Sequence, residues 1–105
     1  MKNNKDSFIS VVVPVYNEEQ LILKTVNSLL SEVSNWNHDY EIIFVNDGSS
    51  DDTFKILEKE ALKNSKIKII NFSRNFGHQM AFTAGLDYSK GNAVIVIDGD
   101  LQDPP

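Results

Sequence analysis

Apolar and polar positions alternate in blocks along this chain. Phe8 to Val13 is a β-branched apolar run that predicts a strand, which Pro14 closes because proline has no N–H to give to a ladder. Asn17, with Gln20 three places on, predicts a capped helix start, and Ile22, Val26, Leu29, Leu30 and Val33 recur at helical spacing as one buried stripe. The polar loop "SNWNHD" leads to a second strand, Tyr40 to Val45. In "NDGSSDD" Ser49 and Asp52 suit a capping pair, and the helix that follows carries Phe54, Leu57, Ala61 and Leu62 on its inner face. Ile67 to Phe72 alternates with polar residues, as an edge strand does. Gly77 and His78 open a third helix whose inner side is small (Ala81, Ala84, Gly85, then Tyr88), and Lys90-Gly91 ends it. Ala93 to Ile97 is wholly apolar and reads as a buried last strand.

Strands alternating with helices predict βαβ units and a Rossmann-like parallel sheet of the α/β class. With the third strand at an edge, the simplest spatial order is 3-2-1-4. Ligands of open α/β sheets bind beyond the carboxyl ends of the strands where that order reverses, here between the first and fourth strands. Those two ends carry Pro14 to Glu18 and Asp98 to Asp103. Residues 1–7 form a polar extension, and residues 8–105 form one domain without repeats or linkers.

Charge narrows the partners. Ten basic and fifteen acidic residues leave a formal charge of −5, which argues against nucleic acid, whose binding relies on basic surface. Absence of cysteine removes disulfides and thiolate metal sites, and is compatible with a reducing, cytoplasmic setting. No run of eighteen apolar residues occurs, and "MKNNKDS" does not begin an export signal. Two histidines, His38 and His78, are too few and too far apart for an imidazole metal site.

The candidate chemistry is carboxylate chemistry. Asp98 and Asp100 flank Gly99, so both side chains can turn to one point while the backbone stays close to a ligand. Hard oxygen donors of this kind suit Mg²⁺ or Mn²⁺, and Gln102 adds a neutral oxygen; taken alone, the same residues also describe an ordinary Asp-Gly turn. Asp47 follows "EIIFV" in an equivalent place and could accept hydrogen bonds from a base or ribose. Asp51 and Asp52 fall in a first helical turn, where negative charge complements the macrodipole. The same dipole accounts for Glu18, although it stands at the crevice. Tyr16 is either core filler or a flat surface for a nucleobase. Arg74, the only arginine, is a solvated side chain, a partner for a carboxylate, or a holder of a phosphate or base edge. A diphosphate about 4 Å from two carboxylates meets repulsion on the order of 4 kcal/mol per charge pair at an effective dielectric near 20. An anionic ligand at this crevice therefore needs a divalent cation.

Together "VVVPVYNEE", "VNDGSSDDT" and "RNFGHQMAFTAGLDYSKGNAVIVIDGDLQDPP" resemble the family 2 glycosyltransferases, and most of all the branch that moves a sugar from a nucleotide onto a polyprenyl (dolichyl or undecaprenyl) phosphate. The likeness runs from Ile9 to the last proline. It implies a GT-A nucleotide-sugar-binding fold and an inverting single displacement at the anomeric carbon. By position, it implies that Pro14, Tyr16 and Glu18 line a nucleoside pocket, with Val45 and Asp47 holding the base and Arg74 as a weaker match. It further implies that Asp98, Gly99 and Asp100 face the ribose and diphosphate of a UDP- or GDP-sugar. Asp100 and Gln102, with Asp98, would ligate Mg²⁺ or Mn²⁺. Gly99 departs from the alanine common in relatives. Members of the family continue well past this point, so the expectation is a donor-binding half truncated after the D-x-D motif. The acceptor wall and catalytic base would then lie beyond Pro105, and membrane segments there would hold the parent at the cytoplasmic face. An open apolar edge makes self-association of the chain an expectation. Two competitors remain: a non-catalytic nucleotide-binding module, and a phosphatase of the haloacid-dehalogenase type, which also carries D-x-D after a strand. A dinucleotide-binding Rossmann domain is disfavoured, because no G-x-G-x-x-G follows the first strand.

Overall fold

A computed structural model of the chain describes residues 8–97. The elements are β1 (Ile9–Val15), α1 (Ile22–Val33), β2 (Tyr40–Asn46), α2 (Thr53–Lys63), β3 (Ile67–Asn71), α3 (His78–Tyr88) and β4 (Ala93–Val96). All strands are parallel, and their order is β3-β2-β1-β4, the one expected from the sequence. Two crossovers step from β1 to β3 in one direction, and the third returns across β1 to β4. Crossovers of one hand then require the third helix to lie on the opposite face.

The packing shows this division. Val11, Val13 and Val15 of β1 and Ile42 and Phe44 of β2 point to one side, where they meet the α1 stripe Ile22, Val26, Leu29 and Val33 and, from α2, Leu57. Val12, Ile43 and Val45 point to the other side and meet Ala81 of α3. Period-two alternation along buried strands thus supplies both faces of the central layer. The small inner face of α3 brings it close to the sheet. A Cβ at Gly85 would stand 2.3 Å from Val12 Cγ1.

Several local expectations give way to tertiary contacts. Proline does not end β1: the strand continues to Val15, with Pro14 paired to Val45. Odd-numbered residues of β1 turn their backbone groups towards β2, as in Asp47 N–H to Val15 O at 2.9 Å, and even-numbered ones turn towards β4, as in Ile97 N–H to Val12 O at 2.9 Å. Proline's missing donor therefore faces β4, past the last pair Val12–Val96, and removes no bond to β2. Leu62, expected on the inner face of α2, is 84% exposed. The fourth strand is also corrected. It ends at Val96, and all four of its residues are exposed, because among the described residues β4 pairs only with β1 and lies at the edge of the sheet. Apolar sequence marked the strand; it could not show which neighbours cover it. Among the described residues no helix is long and apolar enough to cross a membrane.

Candidate functional site

Loops from the carboxyl ends of β1, β2 and β3 meet on one rim, and polar side chains join them. Asn46, the last residue of β2, donates through Nδ2 to Asn71 Oδ1 of β3 at 2.7 Å, and its own Oδ1 accepts from the Ser49 hydroxyl at 2.5 Å. Ser49 Oγ in turn accepts the Asn17 amide at 2.8 Å, and Asn17 Oδ1 accepts the Ser50 amide at 2.8 Å. Asn17 sits at φ 50°, a left-handed conformation that asparagine tolerates better than most residues. These contacts replace the helix cap expected at Asn17: α1 begins only at Ile22, and residues 17–19 bond across to the neighbouring loop instead. Neither Ser49 nor Asp52 caps α2 through its side chain.

A second lock lies beside the first. Glu18 N–H donates to the Thr53 hydroxyl at 2.8 Å, Glu19 N–H to Asp51 Oδ2 at 3.2 Å, and Asp52 N–H to Glu19 Oε1 at 2.8 Å. Asp51 Oδ1 accepts the Thr53 hydroxyl at 2.6 Å and its amide at 2.9 Å. Burial opposes ionisation of Asp51, yet the hydrogen bonds from Thr53 and Glu19 outweigh it and hold the carboxyl below the usual carboxylate range. A depressed native pKa adds stability above the unfolded value, near 3.9, and that stability is lost as pH falls through the native value. Acid titration should therefore loosen this loop pair as pH drops below about 4. Asp51→Asn should flatten that dependence in a pH series of urea melts; an unchanged slope would show that Asp51 carries none of it.

The residues expected at a nucleoside pocket are placed as follows. Pro14 and Val45 are buried as neighbours in the sheet, Glu18 is partly exposed, and Tyr16 is 47% exposed at the end of β1. Asp47 lies beside Val15 and is only 3% exposed; its carboxylate accepts from the Phe76 amide at 2.7 Å, the Gly77 amide at 3.0 Å and Asn75 Nδ2 at 3.0 Å. Arg74 is exposed, with its guanidinium 4.5 Å from the centre of the Phe76 ring, and no ion pair joins it to a carboxylate among the described residues. So the ends of β1 and β2 and the Arg74 loop form one continuous rim. Asp98, Gly99, Asp100 and Gln102 lie outside the described residues. Ile97 is still bonded to Val12, so β4 runs towards the same rim as β1. Among the described residues no group of three or more His, Cys, Asp or Glu could hold a metal ion. The donor set Asp98, Asp100 and Gln102 is all oxygen, the chemistry that Mg²⁺ and Mn²⁺ take.

Sequence reasoning missed Asn46, Asn71 and Asn75, and it read Asn17 and Ser49 as caps. Their one visible signal is a run of Asn and Ser directly after apolar strands, where local side-chain bonding competes with regular structure.

The parallel sheet of this order with its alternating helices is an α/β domain of the GT-A glycosyltransferase type, the type of its solved structural neighbours. The profile of glycosyl transferase family 2 matches residues 10–105, and this chain belongs to that family. The match sets aside the phosphatase reading. YkcC of Bacillus subtilis (strain 168), an uncharacterized glycosyltransferase, is 55% identical over 96 residues, or 91% of this chain and 30% of its own length. An undecaprenyl-phosphate 4-deoxy-4-formamido-L-arabinose transferase of Pseudomonas savastanoi pv. phaseolicola (strain 1448A / Race 6) is 39% identical over 99 residues, covering 93% of this chain and 29% of its own. Glucosyl-3-phosphoglycerate synthase from Mycobacterium tuberculosis, solved with Mn²⁺, UDP and glucosyl-3-phosphoglycerate, superposes with a TM-score of 0.67 at 30% identity, covering 93% of this chain and 35% of that one. The chain thus spans about 30% of the length of the curated relatives it matches.

Proposed function

We propose that this chain is the donor-binding part of a transferase that moves a sugar from a UDP- or GDP-sugar onto a polyprenyl phosphate, with Mg²⁺ or Mn²⁺ at Asp98, Asp100 and Gln102. One observation carries the reading: the carboxyl ends of β1 and β2 are locked into a single rim at the reversal of the sheet, and β4 runs beside β1 into Asp98-Gly99-Asp100. The Mn²⁺ and UDP of the mycobacterial enzyme and the lipid phosphate in the Pseudomonas relative's name support it.

In this reading Tyr16 offers an exposed ring and Arg74 a cation at the rim, while Pro14 and Val45 form its apolar floor. Asp47 and Glu18 complete the nucleoside side. A bound divalent cation supplies positive charge against the leaving diphosphate. Phosphate monoesters have a second pKa near 6, so a lipid phosphate is already anionic at neutral pH and needs less help from a base than a hydroxyl does. The chain's own contribution is then to hold the donor in place, and turnover belongs to a longer protein whose further segments place it at the cytoplasmic face of a membrane.

Titration calorimetry of UDP and of GDP into the chain, with and without Mn²⁺, tests this. Because about 1.4 kcal/mol is tenfold in affinity, even partial relief of the charge repulsion should strengthen binding about tenfold when the metal is present. Asp100→Ala should abolish that gain. Equal affinity with and without metal, or an Asp100→Ala variant that keeps the gain, would overturn the proposal.

A further inference from the structure

We infer that Asn46 is a positioning residue: through Ser49 and Asn17 it fixes where Tyr16 stands on the rim. The inference rests on the nucleotide-binding reading above, in which Tyr16 offers its ring to the nucleoside. Asn46 ends β2, pairs with Val15 and is only 1% exposed. A buried side-chain amide must both donate and accept, and here its two sides are not interchangeable. The Asn17 N–H can only donate, and Ser49 Oγ accepts it at 2.8 Å. The Ser49 hydroxyl gives its single hydrogen to Asn46 Oδ1 at 2.5 Å. That leaves the Asn46 NH₂ facing β3, where Asn71 Oδ1 accepts it at 2.7 Å. One directed chain of hydrogen bonds thus runs from Asn17 through Ser49 and Asn46 to Asn71, across the ends of three strands.

Tyr16 stands at the head of that chain. The residue before it, Val15, accepts the Asp47 N–H on its carbonyl at 2.9 Å, and the residue after it, Asn17, donates to Ser49. Asn17 Oδ1 also accepts the Ser50 amide at 2.8 Å, which steadies its left-handed backbone at φ 50°. The backbone on each side of Tyr16 is therefore fastened to the 46–50 segment, while the side chain stays 47% exposed. An aromatic surface held in this way is in place before a ligand arrives, so binding need not order the loop. The two fastenings differ in kind. The Val15 bond continues the sheet ladder, but the Asn17 bond depends on Ser49, and Ser49 is oriented by Asn46.

The test is calorimetry with UDP and GDP as probes, with and without Mn²⁺, on the 105-residue chain and on Asn46→Ala, Tyr16→Ala and the double variant, at a temperature where each is folded. Asn46→Ala should weaken both nucleotides about tenfold, the effect of one lost anchoring hydrogen bond. The loss should be equal with and without Mn²⁺, because the chain of bonds joins β1, β2 and β3 and leaves the route through β4 intact. Tyr16→Ala should weaken binding in the parent chain and add little in Asn46→Ala, since a residue acting through Tyr16 couples to it. Exchange of the Asn17 and Ser50 amides should quicken in Asn46→Ala. Asn46→Asp should recover most of the loss: its carboxylate still accepts from Ser49, and Asn71, which is exposed, can turn its NH₂ to the other oxygen.

Additive losses would overturn the inference. So would an Asn46→Ala chain that melts earlier yet binds nucleotide as the parent does, which would leave the network a structural brace only. A loss seen only with Mn²⁺ would overturn it as well, by putting the effect on the carboxylate pair. If Asn46→Ala does not fold, Ser49→Ala breaks the same chain at a less buried link, and the coupling to Tyr16 must appear there. A parent chain that binds neither nucleotide would defeat the proposed function and the positioning role with it. A parent that binds, with Asn46→Ala its equal, would defeat the positioning role alone.

Discussion

Gly48→Ala is expected to destabilise the chain by about 3 kcal/mol, and a melt followed by circular dichroism measures it. Two separate effects add. Gly48 sits at φ 71°, where an L side chain costs roughly 1–2 kcal/mol. Its new Cβ would also lie 2.1 Å from Arg74 C, 2.3 Å from Asn75 N and 2.5 Å from Arg74 O, against the roughly 3.5–4.0 Å that carbon contacts prefer. Those atoms are backbone, so no rotamer change relieves the contact; the 74–77 loop must move, at a cost of the order of 1–3 kcal/mol. For a domain of this size about 3 kcal/mol corresponds to a fall of roughly 12–24 °C in Tm. Gly85→Ala provides the comparison. Its clash is with the Val12 side chain, and alanine recovers up to about 1 kcal/mol of helix propensity, so the loss should be smaller. A Gly48→Ala melt as high as that of Gly85→Ala would mean that the Arg74 loop does not rest on β2.

The contrast between these glycines marks how far the sequence could be read. Strands, helices and the order 3-2-1-4 were legible because apolar runs, helical spacing and the polar alternation of β3 are short-range signals. The α1 stripe was legible for the same reason. The start of α3 at Gly77 and His78 was legible too; those of α1 and α2 were not, because Asn17 and Glu19 place their hydrogen bonds on a loop 32 or 33 residues away and a local cap was the only option visible in sequence. The exposure of β4 was hidden as well, since "AVIV" reads alike in a covered or an open strand. At the candidate site, Asp47 was found by its place after an apolar run. Its three donors come from a segment no pattern connects to it. The D-x-D pair, which gained its meaning from the other two motifs, lies outside the described residues, and the Mn²⁺ titration reads its role.

Glu41→Ala is expected to destabilise the chain by a similar amount, about 3 kcal/mol, and to release β4 first. Glu41, at the start of "EIIFV", is 2% exposed, on the β2 face towards α3. Its Oε2 accepts the Ser10 hydroxyl at 2.6 Å and the Lys90 amide at 2.9 Å, and Lys68 Nζ lies 3.6 Å from Oε1. Ser10 Oγ also accepts the Gly91 amide at 2.8 Å, and Gly91 lies so close that a Cβ there would be 2.6 Å from Ser10 N. Alanine at position 41 leaves the Ser10 hydroxyl and the Lys90 amide without their acceptor, at roughly 1–3 kcal/mol for the buried hydroxyl and less for the partly exposed amide, with the packing of the buried side chain lost besides. Lys68 is exposed enough to find water, so its part is small. Glutamine keeps one oxygen for the two donors, so Glu41→Gln should lose no more than about 1 kcal/mol.

The location of the damage follows from the topology. Among the described residues four pairs join β4 to β1, and no strand pairs with the other edge of β4. The Lys90-Gly91 turn held by Glu41 and Ser10 therefore tethers the start of that strand, together with the Asn92–Phe8 pair of hydrogen bonds. Hydrogen exchange should show Ala93–Val96 opening in Glu41→Ala under conditions where β1 and β2 stay protected. Since β4 leads into Asp98 and Asp100, the Mn²⁺ gain in UDP binding should fall in the same variant, although Glu41 lies at the opposite end of the sheet from the rim. Uniform exchange across the sheet, or a full Mn²⁺ gain despite an open β4, would show that the far-end tether does not set the placement of the carboxylate pair.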